Sequence, residues 1–201
     1  MTKEALIESL RKKPTPENIL AAFDKVKREE FVPSHLIGYA YEDIALPVEE
    51  GSTLSQPSTV AFMLNLLEPK NDSKILEIGS GSGYVLALLS EIAPEGKIYG
   101  VEVLKSLAVI SKSRLAEKKN VEIIHRDGSK GLPEFAPYDR ILISASCPET
   151  PKHLLEQLKD PGILVAAVKN SIIQIKKENT QTIEREFPGF AFVPLVSEAK
   201  D

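Results

Sequence analysis

The chain has 201 residues, 42% of them apolar, a net charge of −4 and a pI near 5.6. That length and apolar content suit one domain with a real core, and the charge leaves no overall basic field for nucleic acid. A lone cysteine, Cys147, excludes an intrachain disulfide and a multi-cysteine metal site, and no apolar run approaches the length needed to span a bilayer.

The N-terminus, Met1-Thr2-Lys3-Glu4, carries an acid and a helical pattern unlike a secretion signal, so a soluble cytoplasmic protein is expected. Residues 2–13 and 16–28 read as amphipathic helices, the second with Thr15 as N-cap, Pro16 at its first position, and Ile19, Leu20, Phe23 and Val26 on one face. Basic clusters at Arg11-Lys12-Lys13 and Lys118-Lys119 sit beside acids and read as solvated helix surface. From Ser34 to Thr53 the chain is irregular, and connections of that length are often functional. A helix is expected from about Pro57 to Leu67. From Lys74 strands at 74–78, 97–102, 121–125 and 139–144 alternate with helices near 83–93, 104–118 and 151–159, the mark of right-handed βαβ units and a parallel sheet. After Gly162 the helices stop. Residues 163–168, 172–176 and a last run through Phe190-Ala191-Phe192-Val193 read as strands, the first two as an antiparallel hairpin at one edge of the sheet.

The centre of the pattern is Ile75-Leu76-Glu77-Ile78-Gly79-Ser80-Gly81-Ser82-Gly83-Tyr84, an apolar strand running into a glycine loop and a helix. Glycines there permit positive φ and close approach of a ligand, and the helix N-terminus favours its negative end. The spacing is E-x-G-x-G-x-G and lacks the third glycine of the dinucleotide fingerprint, which argues against a nicotinamide oxidoreductase. Glu102, at the tip of the next strand, is placed to accept from ribose hydroxyls. Loop and acid together resemble the S-adenosylmethionine site of Rossmann-like methyltransferases. His35, His125 and His153 match no metal spacing, so no metal is expected, and Cys147 reads as a free structural thiol.

Further segments narrow the resemblance: Arg28-Glu29-Glu30-Phe31-Val32-Pro33, Ala40-Tyr41-Glu42-Asp43, Leu46-Pro47, Gly51-Ser52-Thr53-Leu54-Ser55-Gln56-Pro57, Asp127-Gly128, Pro137-Tyr138-Asp139 and Phe192-Val193-Pro194-Leu195. From about residue 20 onward the chain is similar to the protein-L-isoaspartate O-methyltransferases, with Thr-Leu-Ser-Gln-Pro the most specific part. The resemblance implies a single domain with residues 1–70 as a helical cap over an AdoMet-binding core, 71–201. Its α/β fold would be a Rossmann-like, seven-stranded, mostly parallel sheet with an antiparallel edge hairpin. It implies AdoMet-dependent methylation of the free carboxylate of L-isoaspartyl residues in damaged proteins and peptides, by a monomer with no nucleic-acid or membrane partner.

The resemblance assigns Ser55 to the acceptor carboxylate, against an alternative as a helix N-cap, and Leu54, Gln56 and Val193 to the substrate groove. Gly79, Ser80, Gly81, Ser82 and Gly83 would cradle the methionine part of the cofactor. Glu77 would orient its amino group or the loop, Glu102 and Val103 would border the ribose, and Asp127 with Gly128 would meet the adenine, unless Asp127 serves only as a turn cap. Three departures stand out: Arg126 where the family has Gly, Lys159-Asp160-Pro161-Gly162 for Lys-Pro-Gly-Gly, and the polar Ser144-Ala145-Ser146-Cys147-Pro148 bordering the substrate site. The first and last keep open a methyltransferase of the same fold with another acceptor; a non-catalytic AdoMet-binding protein is disfavoured by the intact Ser55 and glycine loop.

Overall fold

The structure is a computed structural model and describes residues 1–196. Two helices open the chain, α1 (Lys3–Arg11) and α2 (Glu17–Lys25). Thr2 caps α1 by accepting from the Ala5 N–H, and Leu6 and Leu10 are its buried side. α2 buries Ile19, Leu20, Ala22 and Phe23. The expected Thr15 cap does not form. Pro16 takes the N-cap position, and the Thr15 hydroxyl instead donates at 2.9 Å to the Leu10 carbonyl, which also accepts from the Lys13 N–H at the end of α1.

Residues 28–51 form 3-10 turns at Arg28–Phe31, Ser34–Tyr39 and Glu49–Gly51, and β1 (Leu46–Pro47) pairs antiparallel with β2 (Thr53–Leu54). The chain then enters α3 (Pro57–Leu67). From here strands and helices alternate: β3 (Lys74–Ile78), α4 (Tyr84–Ile92), β4 (Lys97–Glu102), α5 (Lys105–Arg114), β5 (Val121–His125) and β6 (Tyr138–Cys147). Three long strands follow, β7 (Leu158–Val168), β8 (Ser171–Glu178) and β9 (Gln181–Pro188). The seven-stranded sheet has the order β5-β4-β3-β6-β7-β8-β9. The first five are parallel, β8 runs antiparallel to β7, and β9 antiparallel to β8. The expected parallel sheet with an antiparallel edge is therefore present.

Each face of the sheet carries an apolar cluster. On one, Ile75, Ile98, Leu142 and Val165 pack with α3, α4 and the N-terminal helices; on the other, Leu76, Ile78, Ile141 and Ile143 pack with Leu132, Tyr138 and Leu154. The N-terminal segment is tied in by aromatic contacts, with Phe23 and Phe31 meeting the edge of Tyr84 at 6.2 and 5.4 Å.

Two expectations fail in the second half. The helix over 151–159 is only a 3-10 turn, Lys152–Glu156. Pro148 and Pro151 restrict the residues before them, and Leu158 is already paired with Tyr138 in the sheet. The run Phe190–Val193 is not a strand. The last strand is β9, exposed along nearly its whole length, so it lacks the apolar alternation that would mark it. The aromatic run instead leaves the sheet and packs on α3, with Phe190 stacked on Phe62 at 5.5 Å.

Candidate active site

The strand order reverses between β3 and β6: β4 and β5 lie to one side and β7 to the other. In open α/β sheets the crevice outside the carboxyl ends of such strands is where ligands bind. The glycine loop leaves β3 at this point. Gly79 (φ +76°), Gly81 (φ +53°) and Gly83 (φ +88°) all lie in the left-handed region. At Gly83 a Cβ would also stand 2.9 Å from Ser111 Cβ on α5, so the close approach of α4 and α5 requires glycine. At Gly81 a Cβ would meet nothing within 4 Å: the backbone there borders open space.

Two acids converge on the loop. Glu102, 5% exposed at the end of β4, accepts from the Gly81 N–H at 2.7 Å through Oε2 and from the Leu104 N–H at 2.9 Å through Oε1. Each of its oxygens retains acceptor capacity. Glu77, 1% exposed, stands opposite Gly100 in the β3–β4 register. Ser144 Oγ donates to Glu77 Oε1 at 2.7 Å, while Glu77 Oε2 and Ser80 Oγ are buried with no partner among the described residues. Burial pushes the Glu77 carboxyl up to about 8; the Ser144 hydroxyl opposes that shift and the charge of Glu102 adds to it. A buried acid with an unpaired oxygen, beside a second acid and an open glycine backbone, fits a ligand with a cationic end. The helix N-terminus favours the negative end of such a ligand, and the two carboxyl groups supply the complement for its cationic end.

Beyond β5, Asp127 Oδ1 accepts from the Ser129 N–H at 2.8 Å, so it does serve as a turn cap, with its second oxygen left over. Gly128 is buried against β3 and β4, where a Cβ would lie 2.8 Å from Ile78 Cγ2. Arg126 lines the same surface concavity as Asp127 and is tied to Glu134 at 2.8 Å. The Val103 carbonyl contacts His125 Nε2 at 3.1 Å, so the imidazole packs at the strand end.

Ser55 lies between β2 and α3. It does not cap α3. The N-cap residue is Gln56 and makes no side-chain cap bond; the Ser58 N–H is satisfied from a distance by Asp43 Oδ1 at 2.8 Å. Ser55 Oγ has no hydrogen-bond partner among the described residues, and the side chain lines a cavity of about 350 Å³ together with Gln56, Thr59, Ser144, Phe192 and Val193. Of the expected groove residues, Leu54 does not line this cavity; it pairs with Leu46 and is packed in the apolar core. The Ser146 N–H donates to the Val193 carbonyl at 2.8 Å, which holds the C-terminal segment against the end of β6.

Ser55 is placed by a residue the sequence did not reveal. Arg28 is 0% exposed; Nε donates to the Ala40 carbonyl at 2.8 Å, and Nη2 to the Ser55 carbonyl at 3.0 Å and the Ile44 carbonyl at 3.4 Å. Its guanidinium lies over the Tyr84 ring at 5.0 Å, and Tyr84 directly follows the glycine loop. An arginine in a charged 3-10 segment carries no pattern that foretells burial. Ser144 did leave a signal, as a polar residue at the end of an apolar strand.

Sheet order, switch-point loop and paired acids define a Rossmann-like methyltransferase class. The comparisons with known proteins narrow it. The family profile described as protein-L-isoaspartate(D-aspartate) O-methyltransferase matches residues 1–200. A protein-L-isoaspartate O-methyltransferase of Methanocella arvoryzae is 42% identical over 179 residues, covering 86% of this chain and 95% of the relative. One from Flavobacterium psychrophilum is 44% identical over 191 residues, covering 92% and 88%. A solved protein-L-isoaspartate O-methyltransferase superposes with a TM-score of 0.90 at 29% identity, covering 98% of this chain and 67% of that one. A Plasmodium falciparum structure of the same description, in complex with S-adenosyl-L-homocysteine, shares the fold at a TM-score of 0.85 and 23% identity. The chain belongs to the protein-L-isoaspartate O-methyltransferase family.

Proposed function

We propose that the protein transfers a methyl group from S-adenosyl-L-methionine to the free α-carboxylate of L-isoaspartyl residues in aged proteins and peptides, the step that opens their repair to aspartate. The observation that carries this reading is the unengaged Ser55 hydroxyl in a cavity that abuts the Ser144–Glu77 pair. When bound, the cofactor supplies a methyl carbon on a sulfonium centre, already reactive toward an anion.

The residues then have little acid–base work to do. A carboxyl of this kind, with a pKa of ~3.5, is ionised near neutrality, so no general base is required. Ser55 donates its hydroxyl to one carboxylate oxygen and fixes the direction of approach; holding both reactants in line, to which the whole site contributes, can lower a barrier by roughly 7–11 kcal/mol in favourable cases. Phe190, Phe192 and Val193 on the cavity wall exclude water around the anion. Glu77 Oε2 would hold the cofactor's α-ammonium, the remaining lone pairs of Glu102 would take its ribose hydroxyls, and the free oxygen of Asp127 would take its adenine amine.

Isoaspartyl proteins and peptides are thus the partners. A net charge of −4 offers nothing to nucleic acid, and no helix among the described residues is long and apolar enough to cross a membrane. The buried, unpaired Cys147 suits a reducing cytoplasm, where the protein acts as a monomer. Ser55→Ala tests the assignment: turnover of an isoaspartyl peptide should fall at least tenfold, the scale of one lost hydrogen bond to a charged group, with affinity for S-adenosyl-L-homocysteine unchanged. Wild-type turnover would remove Ser55 from the reaction.

A further inference from the structure

Ser144 occupies the position where the two halves of the site meet. Leu142 stands opposite Glu77 in the β3–β6 register, and Ser144, two residues on, projects from the same face just past the last paired residue, Ile143. Its half-buried side chain forms part of the acceptor cavity that also contains Ser55. Its hydroxyl hydrogen is committed in the other direction, to Glu77 Oε1 at 2.7 Å. That bond leaves Oε2 as the free oxygen of a fully enclosed carboxyl; Ser80 Oγ, in the loop after β3, is likewise buried with no partner among the described residues.

We propose that Ser144 is a positioning residue for the reaction: by holding Glu77 Oε1 it turns Oε2 toward the cofactor's α-ammonium. The inference rests on the cofactor reading above. An unrestrained buried carboxyl would rotate to satisfy both oxygens on whatever donors it could reach, since an unpaired buried oxygen loses its hydration without replacement. The Ser144 hydroxyl gives one oxygen its donor and leaves the other for the ligand. It also favours the ionised form that a cation needs. Opposing ionisation are burial and Glu102 from β4. α3 and α4, which cover this face, contribute apolar Val60, Leu64 and Leu86 to the cluster that contains Ile75 and Leu142 on either side of Glu77.

The test is calorimetry of S-adenosyl-L-homocysteine binding to the full chain, in buffers of different ionisation heat, so that protons released on binding are read alongside affinity. With a carboxyl that titrates near 8 in the free protein, wild type should release about half a proton per ligand at pH 8. Ser144→Ala should weaken binding roughly tenfold at pH 7, the lower end for one lost bond to a charged acceptor. Its proton release at pH 8 should rise toward one, because Glu77 then titrates higher. Ser144→Thr, which keeps the hydroxyl, should restore both values. A Ser144→Ala variant with wild-type affinity and proton release overturns the inference. So does one that loses affinity with proton release unchanged, since the hydroxyl would then shape the pocket without acting on Glu77. Wild type that fails to bind the ligand at any pH overturns the cofactor reading itself.

Discussion

Arg28→Met is the perturbation that reads the architecture most deeply. The guanidinium makes two short hydrogen bonds, to the Ala40 carbonyl at 2.8 Å and the Ser55 carbonyl at 3.0 Å, and a weak third to Ile44 at 3.4 Å. Bonds from a charged donor are worth about 1.5–3 kcal/mol each, so the two good ones amount to roughly 3–6 kcal/mol. Against this stands Arg28 Nη1, buried without a partner among the described residues, whose removal returns about 1–3 kcal/mol. Methionine fills much of the volume and keeps contact with the Tyr84 ring, so, taking the middle of each range, the net loss should be about 2.5 kcal/mol. Urea denaturation followed by circular dichroism measures it. Turnover should fall as well, because the Ser55 carbonyl loses the tie that fixes the loop carrying the hydroxyl, while Arg28→Lys should recover part of both. A loss below about 0.5 kcal/mol with full turnover would mean that the three carbonyls are held by something other than this side chain, and the reasoning fails.

Glu77 makes a prediction about pH. Its carboxyl titrates near 4.5 when unfolded and near 8 when folded, so between those values the folded state holds a proton the unfolded state has lost. The stability it provides is complete below about 4.5 and is lost as pH rises to 8, at up to ~1.4 kcal/mol per pH unit. Glu77→Gln should therefore gain stability relative to wild type as pH rises from 6 to 8, measured by urea midpoints; parallel curves would show that the acid is ionised in the fold. Glu102→Ala should weaken S-adenosyl-L-homocysteine binding at least tenfold by calorimetry, since it removes the ribose acceptor and frees the Gly81 N–H it now holds; unchanged affinity would take Glu102 out of the site.

The legible parts of the fold are those whose side chains must be buried on both sides. β3 and β4 are mostly apolar, buried along nearly their whole length, and match their expected limits, and the three glycines announced the turn at the strand-order reversal. β9 was invisible for the opposite reason: an edge strand in water needs no apolar face, and Thr182-Ile183-Glu184-Arg185-Glu186 has none. The connection after β6 carries helix-forming residues, His153 to Gln157, but the early start of β7 leaves no room for a helix. In the site, the backbone-level features were readable because glycine and a strand-end acid have few other uses there. What was not readable depends on distant partners. Asp43 caps α3 across 15 positions of sequence and so frees Ser55, and Arg28 reaches the same residue across 27. Leu54 shows the limit of carrying a motif over whole: within one short motif, Ser55 faces the cavity and Leu54 the core.

The most direct measurement is methyl transfer itself. Incubation with S-adenosyl-L-methionine labelled in the methyl group and a matched pair of peptides, one with an L-isoaspartyl residue and one with aspartyl, should place a base-labile methyl ester on the first and none on the second. Equal labelling of the two, or label on neither, would contradict the account.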